Sequence, residues 1–540
     1  MFRWYKVKLL ALKGLGCGKV RRQSTDSEWL PILESSPIIK GLIFLLASLI
    51  IYRIAAWSNT GEPFEFIILA FMVTAVSVAV IALAIREIWG SNQLLLLFWG
   101  CVIFNFLLNK ATHLYYPEFI ERAEVALPVP VLLVPAALAP MLTCILISRY
   151  SGFIAAFLVS LFGNLFIDST PGIFITSLLT GFAAAYFTQK IRRRSDLIMA
   201  GFRVGLVGLI CALILGGGLS NPGQGELILA AVWAISLGVL TSFVVGAILP
   251  ILEWLFDRIT DISWLELSDL NHPLLKRLSA EAPGTYHHSL NVANLAEAGA
   301  DAIEANATQC RACAYFHDIG KLAKPDYFIE NLNPDNNPHD NLSPNMSALV
   351  IIAHVKEGVN LALKHHLRQP IIDVIREHHG TSMVYYFYRR ALQEQEDARE
   401  GGKITGMRED DIPEVRQESF RYPGPVPRSK ESAIVSLADS IESASRSIKN
   451  PTAQKIESLV KEIIDNRVED GQLEESQLTF NELSILARQF TSSIKNMLHS
   501  RIAYPKEKKE RERRESSIQN HEERPEPATG QSSEDAQATA

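Results

Sequence analysis

Cysteine is scarce: six residues in 540, at scattered positions, which excludes a disulfide scaffold. Cys101, Cys144 and Cys211 fall inside apolar runs, where a thiol packs as a small hydrophobe. Cys310 and Cys313 form a CxxC, but no second pair completes a zinc site, so both are expected to pack within a helix. Also missing is any basic patch with interleaved aromatics, and no nucleic acid polymer is expected as a partner. The first 255 residues hold few charges, and their apolar runs carry no row of acids or bases, which argues against an ion or substrate path through a membrane. Histidine is thin outside one stretch: ten of the 13 lie between His272 and His379.

What is present divides the chain. Residues 1–40 are basic, with Arg3, Lys6, Lys8, Lys13, Lys19, Arg21 and Arg22, and read as a cytoplasmic tail. Eight apolar stretches follow, near 41–57, 64–85, 93–109, 127–148, 152–167, 172–188, 198–219 and 226–254. A hydrocarbon core of about 30 Å needs roughly 20 helical residues, so these predict a polytopic helical bundle over 41–254. The first run is expected to be a retained anchor rather than a cleaved leader. Arg86, Arg149, Lys190, Arg192, Arg193 and Arg194 fall in alternate loops, and by the positive-inside rule those loops face the cytoplasm. Both termini and the histidine-rich part then lie in the cytoplasm.

From Glu253 the pattern turns amphipathic, with Leu265, Leu267, Leu270, Leu274, Leu275 and Leu278 at near-helical spacing, and predicts a connector over 255–280. Residues 281–385 alternate helical runs with Pro/Asn/Gly breaks, 391–430 read as a charged surface excursion, and 431–449 and 452–500 as helices, which predicts a helical domain over 281–503. Residues 504–540 are charged and rich in Pro, Gln and Ser, with nothing to bury, and are expected to be disordered. The fold class is all-α: a membrane bundle followed by a helical cytoplasmic domain.

In that domain five apolar helical runs carry out-of-place polar residues: His288, His317-Asp318, His354, His378-His379 and Asp439. A side chain on the apolar face of a helix points inward, and a buried ionised Asp is costly unless paired or metal-bound. Imidazole and carboxylate are ligands for first-row divalent metals. One such His is more often a core residue; seven positions in this order are hard to explain by packing. They point to a two-metal phosphohydrolase.

The order His…His-Asp…Asp resembles the HD phosphohydrolase superfamily. The wider set Glu281-Ala282-Pro283-Gly284-Thr285-Tyr286-His287-His288-Ser289, His317-Asp318-Ile319-Gly320-Lys321, His354-Val355-Lys356-Glu357-Gly358, His378-His379-Gly380-Thr381 and Phe420-Arg421-Tyr422-Pro423-Gly424-Pro425 is similar to the seven-transmembrane HD hydrolases of bacteria. Characterised members are cyclic-di-AMP phosphodiesterases. The resemblance implies that His288, His317, Asp318 and Asp439 hold one metal, and that His354, His378 and His379, with Asp318 bridging, hold the other. It implies manganese or iron, a cyclic dinucleotide substrate, a lipid bilayer as the setting and a homodimer as a possible state. His317 and Asp318 are assigned to catalysis, as is Lys321, as a charge for a phosphate oxygen. His287 is expected to support the ligand beside it, and His272, His339, His365 and His366 to lie on the surface. The family's large extracellular domain has no room here, because only 58–63 separate the first apolar run from the next.

Two other readings stand against this one. Another nucleotide phosphate ester is possible as substrate, although His378-His379 runs into Gly380-Thr381-Ser382-Met383 and not the Gly-Tyr-Pro signature of the cyclic-di-GMP class. A non-catalytic receptor with a structural metal site is the other; the complete ligand set speaks against it.

Overall fold

The computed structural model describes residues 34–57, 63–123, 135–167, 171–215, 224–332, 337–405, 414–448 and 451–499. Residues 1–33 of the expected basic tail 1–40 and the expected disordered segment 504–540 lie outside these residues, and the end of that tail, from Pro37, already belongs to the first helix. The chain divides into two compact units, Met1–Leu267 and Ser268–Ala540. Both are all-α, and among the described residues the only β pairing is an isolated bridge between Met383 and Arg421.

The first unit contains α1 (Pro37–Ala55), α2 (Pro63–Ala84), α3 (Arg86–Gly90), α4 (Asn92–Ala123), α5 (Leu138–Leu146), α6 (Arg149–Phe166), α7 (Pro171–Phe187), α8 (Arg194–Leu215), α9 (Gln224–Phe256) and α10 (Asp261–Leu267). Six of these, α1, α2, α4, α6, α8 and α9, are long and apolar enough to cross a membrane, and α7 is slightly shorter. They are apolar on every side. One side packs around Ile51, Ile81, Phe98, Trp99, Phe106 and Phe162; the other leaves Leu42, Leu83, Ile214 and Phe243 exposed, as a lipid-facing surface requires.

The expected run 127–148 is described only from Pro135. Its nine-residue helix α5 is almost wholly buried and on its own is too short to cross. Pro135 and Pro140 keep its start irregular, and α4 compensates: Asn105 donates to the Pro135 carbonyl and accepts from the Ala139 amide. Broken backbone is tolerated at membrane depth only when protein groups satisfy it in this way. Helices α8 and α9 touch through backbone, since a Cβ on Gly238 would sit 2.3 Å from the Gly201 oxygen.

The second unit contains α11 (Pro273–Glu281), α12 (Pro283–Ala302), α13 (Ala307–Phe316), α14 (Pro344–Lys364), α15 (Gln369–Glu377), α16 (Tyr385–Thr405), α17 (Lys430–Ser445), α18 (Ala453–Glu469) and α19 (Phe480–His499), with a 3-10 turn over Ile319–Ala323. Side chains of Asn306, Ser343, Ser429 and Thr452 cap α13, α14, α17 and α18. Helix α12 packs against α13, α17 and α19 over Val292, Leu295, Ile434, Leu437 and Phe490, all buried. Helix α14 matches the membrane helices in length and apolarity. It belongs to this unit, however, and turns buried His354 inward. Cys310 and Cys313 are buried in α13, with their thiols on the Glu431 and Pro370 carbonyls, in keeping with a packing role.

Candidate metal centre

Five helices and a 3-10 turn converge in the second unit. Helix α12 contributes His288 from its buried face. Helix α13 ends at His317, and Asp318 begins the 3-10 turn, so the dipeptide sits where one helix hands over to another. Helix α14 contributes His354, the end of α15 contributes His378 and His379, and α17 contributes Asp439.

The seven side chains form two groups, each with its donor atoms within 4.8 Å of one another: Asp318, His354, His378 and His379, and His288, His317 and Asp439. Asp318 faces both. Its Oδ1 lies 3.4 Å from His354 Nε2 and 3.7 Å from His378 Nε2. Its Oδ2 lies 3.3 Å from His317 Nε2 and 3.6 Å from His288 Nε2. This is the geometry of a carboxylate shared between two cations. Asp439 Oδ1 is 3.0 Å from His288 Nε2, and its Oδ2 is 3.9 Å from His379 Nδ1.

The rings are held from behind. His317 Nδ1 bonds the Ala314 carbonyl at 2.7 Å, His354 Nδ1 the Ile351 carbonyl at 2.6 Å and His378 Nδ1 the Ile375 carbonyl at 2.9 Å. A carbonyl can only accept, so each Nδ1 carries a proton and each Nε2 is turned to the centre. His288 Nδ1 is held by Glu442 at 2.6 Å. Two buried atoms, His317 Nε2 and Asp318 Oδ1, have no hydrogen-bond partner. A carboxylate oxygen and an imidazole nitrogen left without a partner fit a divalent cation, which this donor set suits.

The electrostatics agree. Burial and the charge on His317 press His378 down to about 3, while burial and His378 push His379 well below its ordinary value. Burial also lowers His354 against the pull of Asp318. All three are therefore neutral and available as ligands at neutral pH. Burial works against ionisation of Asp318 and Asp439, but Lys321 and His317 hold the first well below the usual carboxylate range, and bonds from His288 and His317 hold the second there. Burial lowers His317 too, yet Asp318 outweighs it and raises the imidazole to about 10. Without a cation the carboxylates hold a proton in its place.

Lys321 Nζ lies 2.7 Å from Asp318 Oδ2 and 2.7 Å from Glu330 Oε1. Its charge is matched on both sides, and its contacts orient Asp318. Glu330 also accepts from Thr285, whose amide bonds Asn331, and thereby ties the Gly284-Thr285 entry of α12 to the Lys321 pair.

Several expectations change. His287 is exposed, with its ring against Tyr286, and supports no ligand. His339 is buried, its Nε2 on the Tyr327 carbonyl, instead of lying on the surface. His366 is exposed, and His272 and His365 are partly so. Sequence reading missed Glu442, Glu330, Arg467 and the ring of Tyr422, which stacks on His379 at 4.3 Å. A signal for Glu442 was available: it stands three residues after Asp439, on the same face of a helix. Glu442→Gln is expected to weaken metal binding about 10- to 100-fold by loosening His288. Competition with a fluorescent chelator measures it, and an unchanged affinity would remove Glu442 from the support of the site.

A family model described as a 7TM receptor with intracellular HD hydrolase matches residues 63–260, and an HD-domain model matches residues 285–444. The chain is 38% identical over 382 residues to the cyclic-di-AMP phosphodiesterase PgpH of Listeria monocytogenes, covering 70% of this chain and 50% of that one. It is 37% identical over 383 residues to PgpH of Bacillus subtilis, covering 69% and 51%. The chain thus spans about half the length of the curated relatives it matches. A crystal structure of the L. monocytogenes PgpH HD domain with cyclic-di-AMP is 41% identical, covering 42% of this chain and 99% of that one, with a TM-score of 0.38. The membrane module and the HD domain thus stand in this order on one polypeptide, each matched by its own family model.

Proposed function

We propose that this chain is a membrane-anchored, two-metal phosphodiesterase that opens a cyclic dinucleotide, cyclic-di-AMP, to linear pApA. The observation that carries it is Asp318, whose two oxygens face two separate groups of donors. In this reading His288, His317 and Asp439 hold one ion, and His354, His378 and His379 the other, with Asp318 shared. The mixed imidazole and carboxylate set suits manganese or iron. Such a pair of ions, when bound, lowers the pKa of water and neutralises charge on the attacking and leaving oxygens.

The chain's own residues do the rest. Carbonyl-anchored imidazoles hold their donor atoms still, and Lys321, braced by Glu330, fixes the Asp318 carboxylate. The side chains of His317 and His378 are sealed from solvent, whereas that of His379 is 19% exposed and that of Asp439 8%. Substrate therefore approaches over the His379–Asp439 edge, and the opposite side excludes water. Residues 41–254 anchor the enzyme, 255–280 connect and 281–503 carry the catalytic domain. The cytoplasmic placement of that domain is supported by the Arg86, Arg149 and Arg192–Arg194 loops.

The substrate base rests on the PgpH relatives, and the test is direct. The purified chain, reconstituted with manganese, is offered cyclic-di-AMP and cyclic-di-GMP in parallel, and the products are separated by chromatography. Loss of cyclic-di-AMP with appearance of pApA is expected; a metal-loaded chain that leaves cyclic-di-AMP intact would refute the substrate.

A further inference from the structure

A cyclic dinucleotide carries two phosphodiesters, and the metal centre handles one. The second remains a full negative charge near the same opening, and it needs a cation whose charge is not already matched. Lys321 is taken by Asp318 and Glu330. Arg421 forms a two-pronged pair with Asp470, and Arg446 is held by Glu442. Arg428 is paired with Glu475, and Lys430 with Glu482.

Arg467, on α18, differs from all of these. It has no carboxylate partner within ion-pair distance among the described residues, and its one hydrogen bond runs from Nη2 to Ser440 Oγ at 2.9 Å. Ser440 follows Asp439 directly and gives its own hydroxyl proton to the Ser436 carbonyl, so it accepts from the guanidinium without neutralising it. Asp470, another carboxylate whose charge acts on Arg467, is occupied by Arg421 and Gln472. Burial lowers the Arg467 pKa while Asp439, Asp470 and Tyr422, whose ring stacks on His379, draw it up, and the bond to Ser440 holds the guanidinium one residue along α17 from the ligand Asp439. That is the edge of the centre through which solvent reaches His379. An incompletely solvated guanidinium with unused donors, fixed by a neutral hydroxyl, is built to take a planar pair of phosphate oxygens.

We propose that Arg467 is a second anion subsite that binds the uncleaved phosphodiester of the dinucleotide and so selects substrates carrying two phosphates. This rests on the phosphodiesterase reading above. No bond is made or broken at Arg467; it is a specificity residue.

The test uses the whole chain in lipid nanodiscs, loaded with manganese, as wild type, Arg467→Gln and Arg467→Lys. Cyclic-di-AMP is compared with bis(4-nitrophenyl) phosphate, a diester with a single phosphate. Loss of a charged hydrogen-bond partner predicts a KM for cyclic-di-AMP raised about 10- to 100-fold in Arg467→Gln, with the effect on KM and not kcat, and partial recovery in Arg467→Lys. The KM for the single diester should rise far less. Equal losses on both substrates, or an unchanged KM for cyclic-di-AMP, would overturn the subsite while leaving the enzyme reading intact. Wild-type turnover of the single diester with none of cyclic-di-AMP would overturn the substrate reading, and the subsite with it.

Discussion

Asp318→Asn is expected to lower the turnover of cyclic-di-AMP by about a thousandfold or more, or some 4 kcal/mol of transition-state stabilisation. The change keeps the shape of the side chain and removes its charge. Asp318 is the residue that faces both donor groups, with Oδ1 toward His354 and His378 and Oδ2 toward His288 and His317. An amide there has one oxygen to offer, not two, and no negative charge to set against two cations. Collapse of the fold is not the expected cause, because Lys321 keeps Glu330 as a partner and Asp439 keeps His288. A steady-state assay with a matched unfolding curve separates the two causes. Activity within tenfold of wild type in a folded variant would mean that Asp318 does not bridge.

Gly320→Ala should be the most damaging small substitution in the second unit. A Cβ at Gly320 would lie 1.8 Å from the His354 carbonyl oxygen and 2.5 Å from the Gly358 nitrogen. Both are backbone atoms of α14 and cannot rotate away. The 3-10 turn that carries Asp318 and Lys321 would have to move off the helix that carries His354, separating the two halves of one donor group. Overpacking of this kind costs about 3 kcal/mol, and here it also spoils a site that needs sub-ångström placement. Gly358→Ala is the control. Its Cβ would meet Ile375 Cγ2 at 2.8 Å but the Gly320 nitrogen only at 3.3 Å, a far smaller clash with the turn, and the helix gains up to about 1 kcal/mol of propensity. The unfolding midpoint and metal content of the two variants are the readouts. The account expects Gly320→Ala to lose its metal while Gly358→Ala retains most of it; similar behaviour would show that the turn is not pinned to α14.

These residues also show what a sequence can reveal. The seven donors were legible because each is polar within an apolar helical run, a contrast that burial alone creates. Adjacent His287 and His288 were separable in principle. His288, Val292, Leu295, Ala296 and Gly299 recur with the helical period and form the buried face of α12, while His287 lies off it and is exposed. Glu330 and Arg467 were not legible. Each is a charged residue in a polar setting, and each gains its role from a contact that only the fold creates: Glu330 with Thr285, and Arg467 with Ser440 across 27 residues. Glu442 lies 154 residues from the His288 ring it holds, though its spacing from Asp439 hinted at it. In the membrane unit, nothing in the sequence ties Asn105 to the proline-containing segment 30 residues on. It reaches from α4 to satisfy the proline-broken entry to α5.

The count of bound ions tests the account most directly. Elemental analysis of the purified chain, equilibrated with manganese and freed of excess metal, should give two ions per polypeptide, and fewer in Asp318→Asn. One ion per chain in the wild type, unchanged by that substitution, would contradict the shared carboxylate and the two-metal chemistry that depends on it.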